Sequence, residues 1–356
     1  MTNNKVETQN KIRTGIVGVS GYGGGELARL LVQHPHLDLN YVTSATYAGK
    51  PLGAALPGFV GHSPLVCEVF DLQDAIDRCD LIFLAGEYGL AMKSAGPLIA
   101  AGKKVIDISA DLRLKDAGAY PIWYKIEHTS PELLQKAVYG LPELHKEELK
   151  TADLVANPGC FVTSALLAIT PLLSSDLIDP STLIVDSLSG VSGAGRSKFG
   201  LDYHFSEVNE SAKAYGVGGK HRHTPEIEQE LSLVAGKDIR ITFTPHLIPV
   251  TRGILTTVYA SLKGSPRNLV DLYRERYADD PFVVILDEGS LPATKHVTGT
   301  NYCNIGITVD ERTNRVIVVS ALDNLVKGTA GQAIQNLNLM YGFPETTGLT
   351  MTAMWP

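Results

Sequence analysis

The residues with the clearest capacity for covalent chemistry lie in the run Asn157-Pro158-Gly159-Cys160. Pro158 and Gly159 predict a turn and the following residues predict a helix, so Cys160 is placed close to a helix N-terminus. Unpaired backbone N–H groups and the positive end of the helix dipole favour a thiolate there. The same groups can hold the oxyanion that forms when a thiolate attacks an acyl carbonyl, so the sequence predicts a nucleophile. Three further cysteines lie in segments without such a turn: Cys67, Cys79 and Cys303.

A thiol nucleophile needs a partner that accepts and returns its proton, and residues 221–226 contain two histidines. In an extended backbone His221 and His223 point to the same side. A helix is predicted to begin at the Thr-Pro pair that follows, which brings Glu226 close enough to orient one ring. We favour His223 as the acid/base residue because it is nearer to Glu226. The alternatives are His221, or a surface loop in which both histidines are only solvated.

A glycine-rich segment separates the first predicted strand from the first predicted helix. Gly18, Gly21 and Gly24 have the spacing Gly-x-x-Gly-x-x-Gly. Glycines at this position allow a tight turn and let a pyrophosphate approach the helix N-terminus closely. We therefore predict a dinucleotide site that includes Gly18, Ser20, Gly21, Tyr22, Gly23 and Gly24.

The end of the second predicted strand bears on which dinucleotide binds. NAD sites commonly place a carboxylate there, on the ribose 2′-hydroxyl. Here the strand ends in residues 42–46, with hydroxyl groups and no carboxylate, and Lys50 follows shortly. Because Ser44 and Lys50 suit a 2′-phosphate, NADP(H) is the predicted cofactor. A merely polar loop is the competing interpretation.

An anionic substrate needs cations, and two arginines are candidates. Ser109 and Arg113 follow a predicted strand, at the carboxyl ends where ligands bind in parallel sheets. Arg113 can hold a phosphate or carboxylate bidentately. Arg252 is the second candidate, and Asn157, next to the predicted nucleophile, is also expected to contact substrate. For each arginine, the competing interpretation is a surface ion pair.

These residues need a scaffold, and the first half of the chain predicts an α/β domain. Short apolar strands at residues 12–19, 39–44, 81–85, 104–108 and 154–156 alternate with helical stretches at 26–33 and 90–101. This rhythm predicts a Rossmann-type, doubly wound parallel sheet.

The second half predicts an α+β domain with a mostly antiparallel sheet. Its strand-like segments are residues 183–188, 239–244, 253–262, 304–309 and 315–321, and its helical segments are 225–234 and 266–277. A helix at about 325–340 closes the chain. We predict a cofactor domain at 11–157 plus 324–356, and a catalytic and oligomerisation domain at 158–323.

Composition excludes several other classes of protein. The chain has 356 residues, 44% hydrophobic and 19% charged, with a formal net charge of −7 and no basic run. These values argue against nucleic acid as a partner. The apolar runs are too short to span a membrane, and the polar residues 1–13 form no signal peptide. Scattered cysteines indicate free thiols. We expect a cytoplasmic protein without a metal site that acts on a small molecule.

Many ordered motifs together resemble the N-acetyl-gamma-glutamyl-phosphate reductase family, which serves arginine biosynthesis. They lie at residues 18–27, 108–114, 139–143, 157–163, 189–196, 221–226, 245–253 and 323–333. The resemblance implies that Cys160 attacks an acyl phosphate and expels phosphate, and that NADPH reduces the thioester to a semialdehyde. It also implies that Asn324 and the loop 189–196, which contains Ser192 and Gly193, lie by the cofactor. A homodimer or homotetramer through the sheet of the second domain is implied as well.

One segment departs from the family pattern. Residues 85–89 read Ala-Gly-Glu-Tyr-Gly where the family commonly shows Ala-Leu-Pro-His-Gly, which puts the nicotinamide contacts there in question. Two alternative functions stay open at this point. The chain could be an aspartate-semialdehyde dehydrogenase, which shares the fold, the thiol chemistry and NADP. It could also be a non-catalytic NADP-binding redox sensor.

Overall fold

The structure is a computed structural model that describes residues 11–197, 200–264 and 268–354. Three sequence predictions reach beyond these ranges. Residues 1–10 of the predicted polar tail, Pro266 at the start of a predicted helix, and residues 355–356 of the C-terminal segment lie outside the described residues.

The N-terminal half contains a six-stranded sheet whose neighbouring strands all run parallel. The sheet order is β2-β1-β3-β4-β6-β5. Its strands are β1 (Ile12–Val17), β2 (Leu37–Thr43), β3 (Leu81–Leu84), β4 (Lys104–Asp107), β5 (Val138–Tyr139) and β6 (Leu154–Ala156). The central strands are buried on both faces, which explains why they are nearly continuous apolar runs. The predicted parallel sheet is therefore present, with β5 as a strand that the sequence analysis did not identify.

Helices connect these strands. They are α1 (Tyr22–Leu31), α2 (Leu52–Ala55), α3 (Leu72–Arg78), α4 (Leu90–Ala100), α5 (Ala119–Trp123), α6 (Pro131–Lys136) and α7 (Pro142–Lys150), with a 3₁₀ turn at Pro57–Phe59. α1 begins inside the glycine segment, several residues before the predicted start. Its first backbone N–H groups therefore face the cleft beyond the strand ends.

The second sheet has seven strands in the order β11-β12-β13-β10-β7-β9-β8. Its strands are β7 (Ile178–Gly190), β8 (Lys213–Ala214), β9 (Thr242–Ile248), β10 (Ile254–Leu262), β11 (Val283–Ile285), β12 (Cys303–Asp310) and β13 (Arg315–Leu322). The β7–β9 and β11–β12 pairs run parallel, while the neighbouring pairs run antiparallel. The sheet is thus mixed, with more antiparallel than parallel pairs among the described strands, so the expectation of a mostly antiparallel sheet holds only in part.

The helices of the second half pack against one face of this sheet and against the first half. They are α8 (Cys160–Ser174), α9 (Phe205–Val208), α10 (Thr224–Ala235), α11 (Leu269–Arg276) and α12 (Gly331–Met340), with 3₁₀ turns at Val191–Ala194, Leu201–Tyr203 and Thr294–His296. The predicted final helix is divided, because Val326–Ala330 forms a π-helical turn before α12. α8 is buried along nearly its whole length and shares one core with β7, β10 and β13.

The C-terminal helix returns to the first half of the chain. Ala333, Ile334 and Leu337 of α12 belong to the same hydrophobic core as Ile16 of β1 and Leu27 of α1. The π-helical turn leads directly into this contact and lies between the two sheets. The chain therefore joins its two halves close to the N-terminus of α8, where the predicted nucleophile lies.

Candidate functional site

Cys160 is the first residue of α8, with Gly159 as its N-cap. It follows β6 and the connecting turn, so the parallel sheet delivers it at the carboxyl ends of its strands. The cysteine is half-buried and lines a cavity of about 370 Å³. The predicted placement at a helix N-terminus is therefore observed.

Two opposing effects act on the Cys160 thiol. Burial raises the pKa of the thiol to about 11, while the Arg113 charge and the backbone N–H groups of Phe161 and Cys160 lower it. The helix end acts in the predicted direction, but burial outweighs it. The protein alone therefore holds a thiol at neutral pH and forms a thiolate only when a base accepts the proton.

His221 and His223 both line the cavity, as expected for partners of the thiol. The His223 backbone N–H donates to Nδ1 of His221 at 3.1 Å, so the proton of the neutral His221 ring is on Nε2. The His223 ring lies against Gly159, where a Cβ atom would come within 2.5 Å of Nε2. Only glycine allows His223 to approach the residue next to Cys160 this closely.

Both histidines are neutral at neutral pH. Burial lowers the pKa of His221 to about 4, and the Arg222 charge acts in the same direction. Burial also lowers the pKa of His223 well below its ordinary value, and the nearby cations add to this effect. A neutral imidazole can accept a proton from a thiol, so either ring is in the protonation state that a general base needs.

The structure gives Glu226 other partners than the predicted histidine. Its Oε1 accepts hydrogen bonds from the Tyr139 hydroxyl at 2.7 Å and from the Gly159 backbone N–H at 2.9 Å. Its Oε2 lies 3.7 Å from Arg113 Nη1. Glu226, in the first turn of α10, is fully buried. Its carboxylate stabilises the turn before Cys160 and does not orient a histidine ring.

Arg113 lines the cavity close to Cys160 and is held firmly. Its Nε donates to the Asn157 carbonyl at 2.7 Å and its Nη2 to the Ile108 carbonyl at 3.0 Å. Burial alone would lower the pKa of Arg113, but the Glu226 carboxylate raises it above its ordinary value. The guanidinium is therefore a fixed positive charge beside the thiol.

Three predicted substrate-binding residues do not line this cavity. Asn157 is fully buried; its Nδ2 donates to the Thr329 carbonyl and its Oδ1 accepts from Asn336, so its side chain ties the turn to the C-terminal helix. Arg252 instead bridges Glu26 and Asp323. Ser109 lines the neighbouring cleft, and its Oγ accepts from the Asp111 N–H.

That neighbouring cleft, of about 430 Å³, lies over the glycine segment. Gly18 has φ +94°, in the left-handed region, and a Cβ there would come within 2.5 Å of the Ala85 carbonyl oxygen. A Cβ on Gly24 would come within 2.3 Å of the Gly18 carbonyl oxygen. These two glycines keep α1 and the β3 loop close together. Ser20, Gly21, Tyr22, Gly23 and Gly24 line the cleft, as predicted.

Ser44 and Lys50, the residues predicted to bind a 2′-phosphate, are not among the residues that line the cleft. Ser44 is buried and its Oγ lies 2.8 Å from Ser20 Oγ, while Lys50 Nζ lies 5.8 Å from the centre of the Tyr47 ring. Neither lines the cleft. Arg196 and Tyr47 do line it, and the Arg196 Nη1 donates to the Ser20 and Ala55 carbonyls. The resemblance places the loop at residues 189–196 by the cofactor, but the sequence did not single out Arg196, its last residue, as a cofactor contact.

The loop after β7 lies between the cavity and the cleft. Gly193 lines the cavity. Ser192 is buried and accepts a hydrogen bond from Asn324 Nδ2 at 2.9 Å, and Asn324 Oδ1 accepts from the Gly253 N–H. The Asn324 side chain therefore holds this loop in place. Its carbonyl also accepts a hydrogen bond from the hydroxyl of Thr329, which lines the cleft.

Several cavity residues were not identified from the sequence: Tyr88, Tyr124, Lys213, Tyr215 and Arg222. They come from four separate loops or short elements, and the long loops carry no strong periodicity. Tyr88 lies in the segment that departs from the family pattern, and Arg222 lies between the two histidines, so both positions contained a usable signal.

Two family models match almost the whole chain. The semialdehyde dehydrogenase NAD binding domain matches residues 13–152, and the semialdehyde dehydrogenase dimerisation domain matches residues 160–324. The prediction of a nicotinamide dinucleotide-binding domain followed by a second domain is confirmed.

Curated relatives narrow the family. A protein from Pelotomaculum thermopropionicum named N-acetyl-gamma-glutamyl-phosphate reductase is 51% identical over 97% of this chain and 99% of its own length. One of the same name from Geobacter metallireducens is 52% identical over 97% of this chain and all of its own length. The chain belongs to the N-acetyl-gamma-glutamyl-phosphate reductase family. The resemblance predicted from the sequence is therefore confirmed.

Solved structures share the fold at lower identity. An aspartate semialdehyde dehydrogenase II from Vibrio cholerae matches with a TM-score of 0.70 at 16% identity, over 94% of this chain and 99% of that chain. An aspartate semialdehyde dehydrogenase with NADP from Candida albicans matches with a TM-score of 0.69 at 15% identity, over 93% and 99%. The alternative enzyme is thus a distant structural relative. Among the described residues, no helix has the length and apolar character of a membrane span.

Proposed function

We propose that this chain catalyses the NADPH-dependent reduction of N-acetyl-gamma-glutamyl phosphate to N-acetylglutamate semialdehyde, with release of phosphate, in arginine biosynthesis. The observation that carries the proposal is Cys160 at the N-terminus of α8, in one cavity with two neutral histidines and Arg113. The membership in the reductase family supports the substrate.

The first half of the reaction uses groups of the chain alone. The Cys160 sulfur attacks the acyl carbon, and His223 accepts the thiol proton. Backbone N–H groups at the start of α8 stabilise the oxyanion. The bond from carbon to the phosphate oxygen then breaks, Arg113 neutralises the departing phosphate, and a thioester remains on Cys160. The close approach of His223 to Gly159 supports its role over His221.

The cleft fits a nicotinamide dinucleotide because glycines line it at the N-terminus of α1, where backbone N–H groups can face a pyrophosphate. We assign Gly18, Ser20, Gly21, Tyr22, Gly23 and Gly24 to the pyrophosphate and Arg196, with Tyr47, to a 2′-phosphate. Bound NADPH supplies the hydride that reduces the thioester carbon. As the carbon–sulfur bond breaks, His223 returns its proton to the sulfur. Ser192, Gly193 and Asn324 hold the loop that separates the two ligands.

We assign residues 11–157 and 324–356 to the cofactor domain and 158–323 to the catalytic and oligomerisation domain. Every strand of the first sheet precedes residue 157, and α12 shares the core of that sheet. Arg252 ties the two domains together through Glu26, whereas Asn157 joins the two segments of the cofactor domain through Thr329 and Asn336. Ser109 lies by the cofactor. We also place the protein in the cytoplasm, with biosynthetic enzymes.

We propose a homodimer, or a tetramer of such dimers, that forms through the second sheet. Leu255 of β10 is paired with Leu188 of β7, and Tyr259 is paired with Ile184 and Ile317 on its two sides. These side chains share the sheet face opposite the core and are half-exposed, while their sequence neighbours are buried. An apolar face of this kind is suited to a second copy of the chain.

A steady-state assay tests the substrate. Wild-type protein is mixed with phosphate, NADP⁺ and either N-acetylglutamate semialdehyde or aspartate semialdehyde, and NADPH formation is followed. We expect a strong preference for the acetylated glutamyl compound. Preference for aspartate semialdehyde would overturn the substrate assignment.

The Cys160→Ser variant tests the chemistry in the same assay. We expect turnover to fall below detection while NADP⁺ binding persists, because the cleft does not include Cys160. Cys67→Ser is the matched control, since Cys67 is buried in the first core away from the cavity, and it should retain turnover. Undiminished turnover of Cys160→Ser would exclude the thioester and leave an NADP-binding protein with another mechanism or role.

A further inference from the structure

Arg222 is an exposed cation on the wall of the substrate cavity. It lies between the two histidines, yet its side chain points to a different set of neighbours. Its Nη1 donates a hydrogen bond to the Tyr88 hydroxyl. The guanidinium also lies over the rings of Tyr88 and Tyr124, at 5.2 and 5.7 Å from their centres. These contacts orient the guanidinium without neutralising its charge.

The other lining cations are already paired with carboxylates. Lys213 Nζ lies 2.5 Å from Asp202 Oδ1, and Arg113 faces Glu226 at 3.7 Å. In the described part of the chain Arg222 forms no ion pair. Arg222 is thus the lining cation whose charge is available for an anion that enters the cavity.

The charges of the two arginines act on different groups of the site. The charge of Arg113 opposes the burial that raises the pKa of the Cys160 thiol, while Arg222 instead adds to the burial that lowers the pKa of His221. The substrate carries two anionic groups at different distances from the reacting carbon. Its phosphate is joined to that carbon through one oxygen, whereas its α-carboxylate lies at the far end of the carbon chain.

We propose that Arg222 binds the α-carboxylate of the substrate and that Tyr88 positions the Arg222 guanidinium. The assignment rests on the proposed function and adds the group that selects the substrate. We assign Arg113 to the phosphate, because the Arg113 charge lowers the pKa of the Cys160 thiol and the phosphate is bonded to the carbon that the thiol attacks. A bidentate guanidinium–carboxylate contact fixes both the position and the direction of the substrate chain.

The loop that carries Tyr88 is fixed by hydrogen bonds, so Tyr88 can position the Arg222 guanidinium. It precedes Gly89, whose backbone N–H donates to both oxygens of Asp111 at 3.0 and 2.8 Å. Asp111 also accepts from the N–H of Ala91, at the start of α4. The loop that departs from the family pattern is therefore anchored at Gly89 and at the first turn of α4, directly after Tyr88. Its tyrosine lines the substrate cavity and not the cofactor cleft.

The test compares two aldehydes that differ only in the carboxylate. N-acetylglutamate semialdehyde and 4-acetamidobutanal are each oxidised with NADP⁺ and phosphate, by wild-type protein and by Arg222→Gln. We expect the ratio of their kcat/KM values to fall about 10- to 100-fold in Arg222→Gln, since a charge-assisted contact is lost for one aldehyde only. Arg222→Lys should show a smaller fall, because the charge remains without the planar fork.

Several results would overturn the assignment. An unchanged ratio in Arg222→Gln, or a higher KM for phosphate with both aldehydes, would show that Arg222 does not bind the carboxylate. Arg312→Gln is the matched control, because Arg312 is an exposed arginine in the β12–β13 turn and should leave the ratio unchanged. Wild-type protein that oxidises neither aldehyde would instead contradict the proposed function, on which the assignment rests.

Tyr88→Phe tests the positioning role separately. The variant keeps the ring and removes the hydroxyl, so we expect a higher KM for N-acetylglutamate semialdehyde with kcat nearly retained. In the Arg222→Gln background the same substitution should have no further effect, because the two residues act on one contact. An equally large effect in both backgrounds would show that Tyr88 does not act through Arg222.

Discussion

Burial shifts the pKa values of the Cys160 thiol and of the two neighbouring histidines in opposite directions. Burial raises the pKa of the thiol to about 11 and lowers the pKa of His221 to about 4, and it lowers the pKa of His223 as well. Burial at this site thus keeps all three groups uncharged before substrate binds. Charge forms only during the reaction, next to Arg113 and the N-terminus of α8, which are already in place to stabilise it.

This protonation state predicts a particular pH profile for alkylation of Cys160 by iodoacetamide in the substrate-free protein. A raised thiol pKa leaves the thiolate scarce at neutral pH, so the rate should rise about tenfold per pH unit up to about pH 11. The histidines are already neutral, so no step should appear near an ordinary histidine pKa of about 6.5. A plateau reached near pH 7 would mean that the thiolate is already formed, which contradicts this account.

The π-helical turn Val326–Ala330 is the element that joins the site to the rest of the molecule. Gly328 packs against Cys160, and Thr329 lines the cofactor cleft. Lys327 is fully buried and its Nζ lies 2.6 Å from Glu143 Oε1 and 2.8 Å from Gln335 Oε1. One turn of chain therefore contacts the nucleophile, the cleft and a buried ion pair, which is consistent with the frequent occurrence of π-helical turns at functional sites.

Gly328→Ala tests this element. A Cβ there would come within 2.7 Å of the Cys160 Cβ and 3.3 Å of its Cα, so the nucleophile has to shift. We expect kcat to fall about 10- to 100-fold with NADP⁺ binding retained, since a small displacement of a reacting group is costly. Gly96→Ala is the matched control: Gly96 lies in α4 with open space around it and away from Cys160, so alanine should leave kcat unchanged. Equal kcat in the two variants would contradict the positioning role.

At the scale of the whole molecule, a charged network connects the two halves of the chain. Glu26 of α1 is nearly buried and is bonded to Arg29 at 2.7 Å and to Arg252 at 2.8 Å; Arg252 also lies 3.5 Å from Asp323. Burial alone would raise the pKa of Glu26, but the two guanidinium groups lower it below its ordinary value. The network fixes the helix of the cofactor turn against the second sheet.

Arg252→Met separates this structural role from the substrate contact predicted from the sequence. Removal of the guanidinium leaves two carboxylates short of a partner, so the free energy of unfolding should fall by about 1–3 kcal/mol, measured by denaturant titration. The exposed Arg240→Met, which also loses an ion pair, should change it much less. A selective rise in substrate KM without loss of stability would instead support substrate binding by Arg252.

The same network predicts a loss of folding stability at low pH. Because the folded-state pKa of Glu26 is lowered, its contribution to stability is present above the unfolded-state value of about 4.5 and is lost as the pH falls through the lower folded-state value. Wild-type protein should therefore lose more stability than Arg252→Met between about pH 5 and pH 3. Parallel losses in the two proteins over that range would exclude this contribution of Glu26.

The sequence predicted the elements whose signal is local. The first sheet, the glycine turn and the start of α8 follow from apolar runs, glycine spacing and a Pro-Gly turn, and each is present in the structure. The roles of Glu226, Asn157 and Arg252 could not be predicted, because their partners lie far along the chain and are set by the packing of the two halves. The two parallel pairs of the second sheet, β7–β9 and β11–β12, could not be predicted for the same reason, since strand direction depends on how long connections cross the sheet.

In the proposed reaction, acyl transfer to Cys160 precedes hydride transfer. The direct measurement is intact-protein and peptide mass spectrometry after N-acetyl-gamma-glutamyl phosphate is mixed with the protein in the absence of NADPH. We expect a mass increase of one N-acetylglutamyl group on the peptide that contains Cys160, and its disappearance when NADPH is added. An unmodified Cys160 together with full steady-state turnover, or the acyl group on another residue, would contradict it.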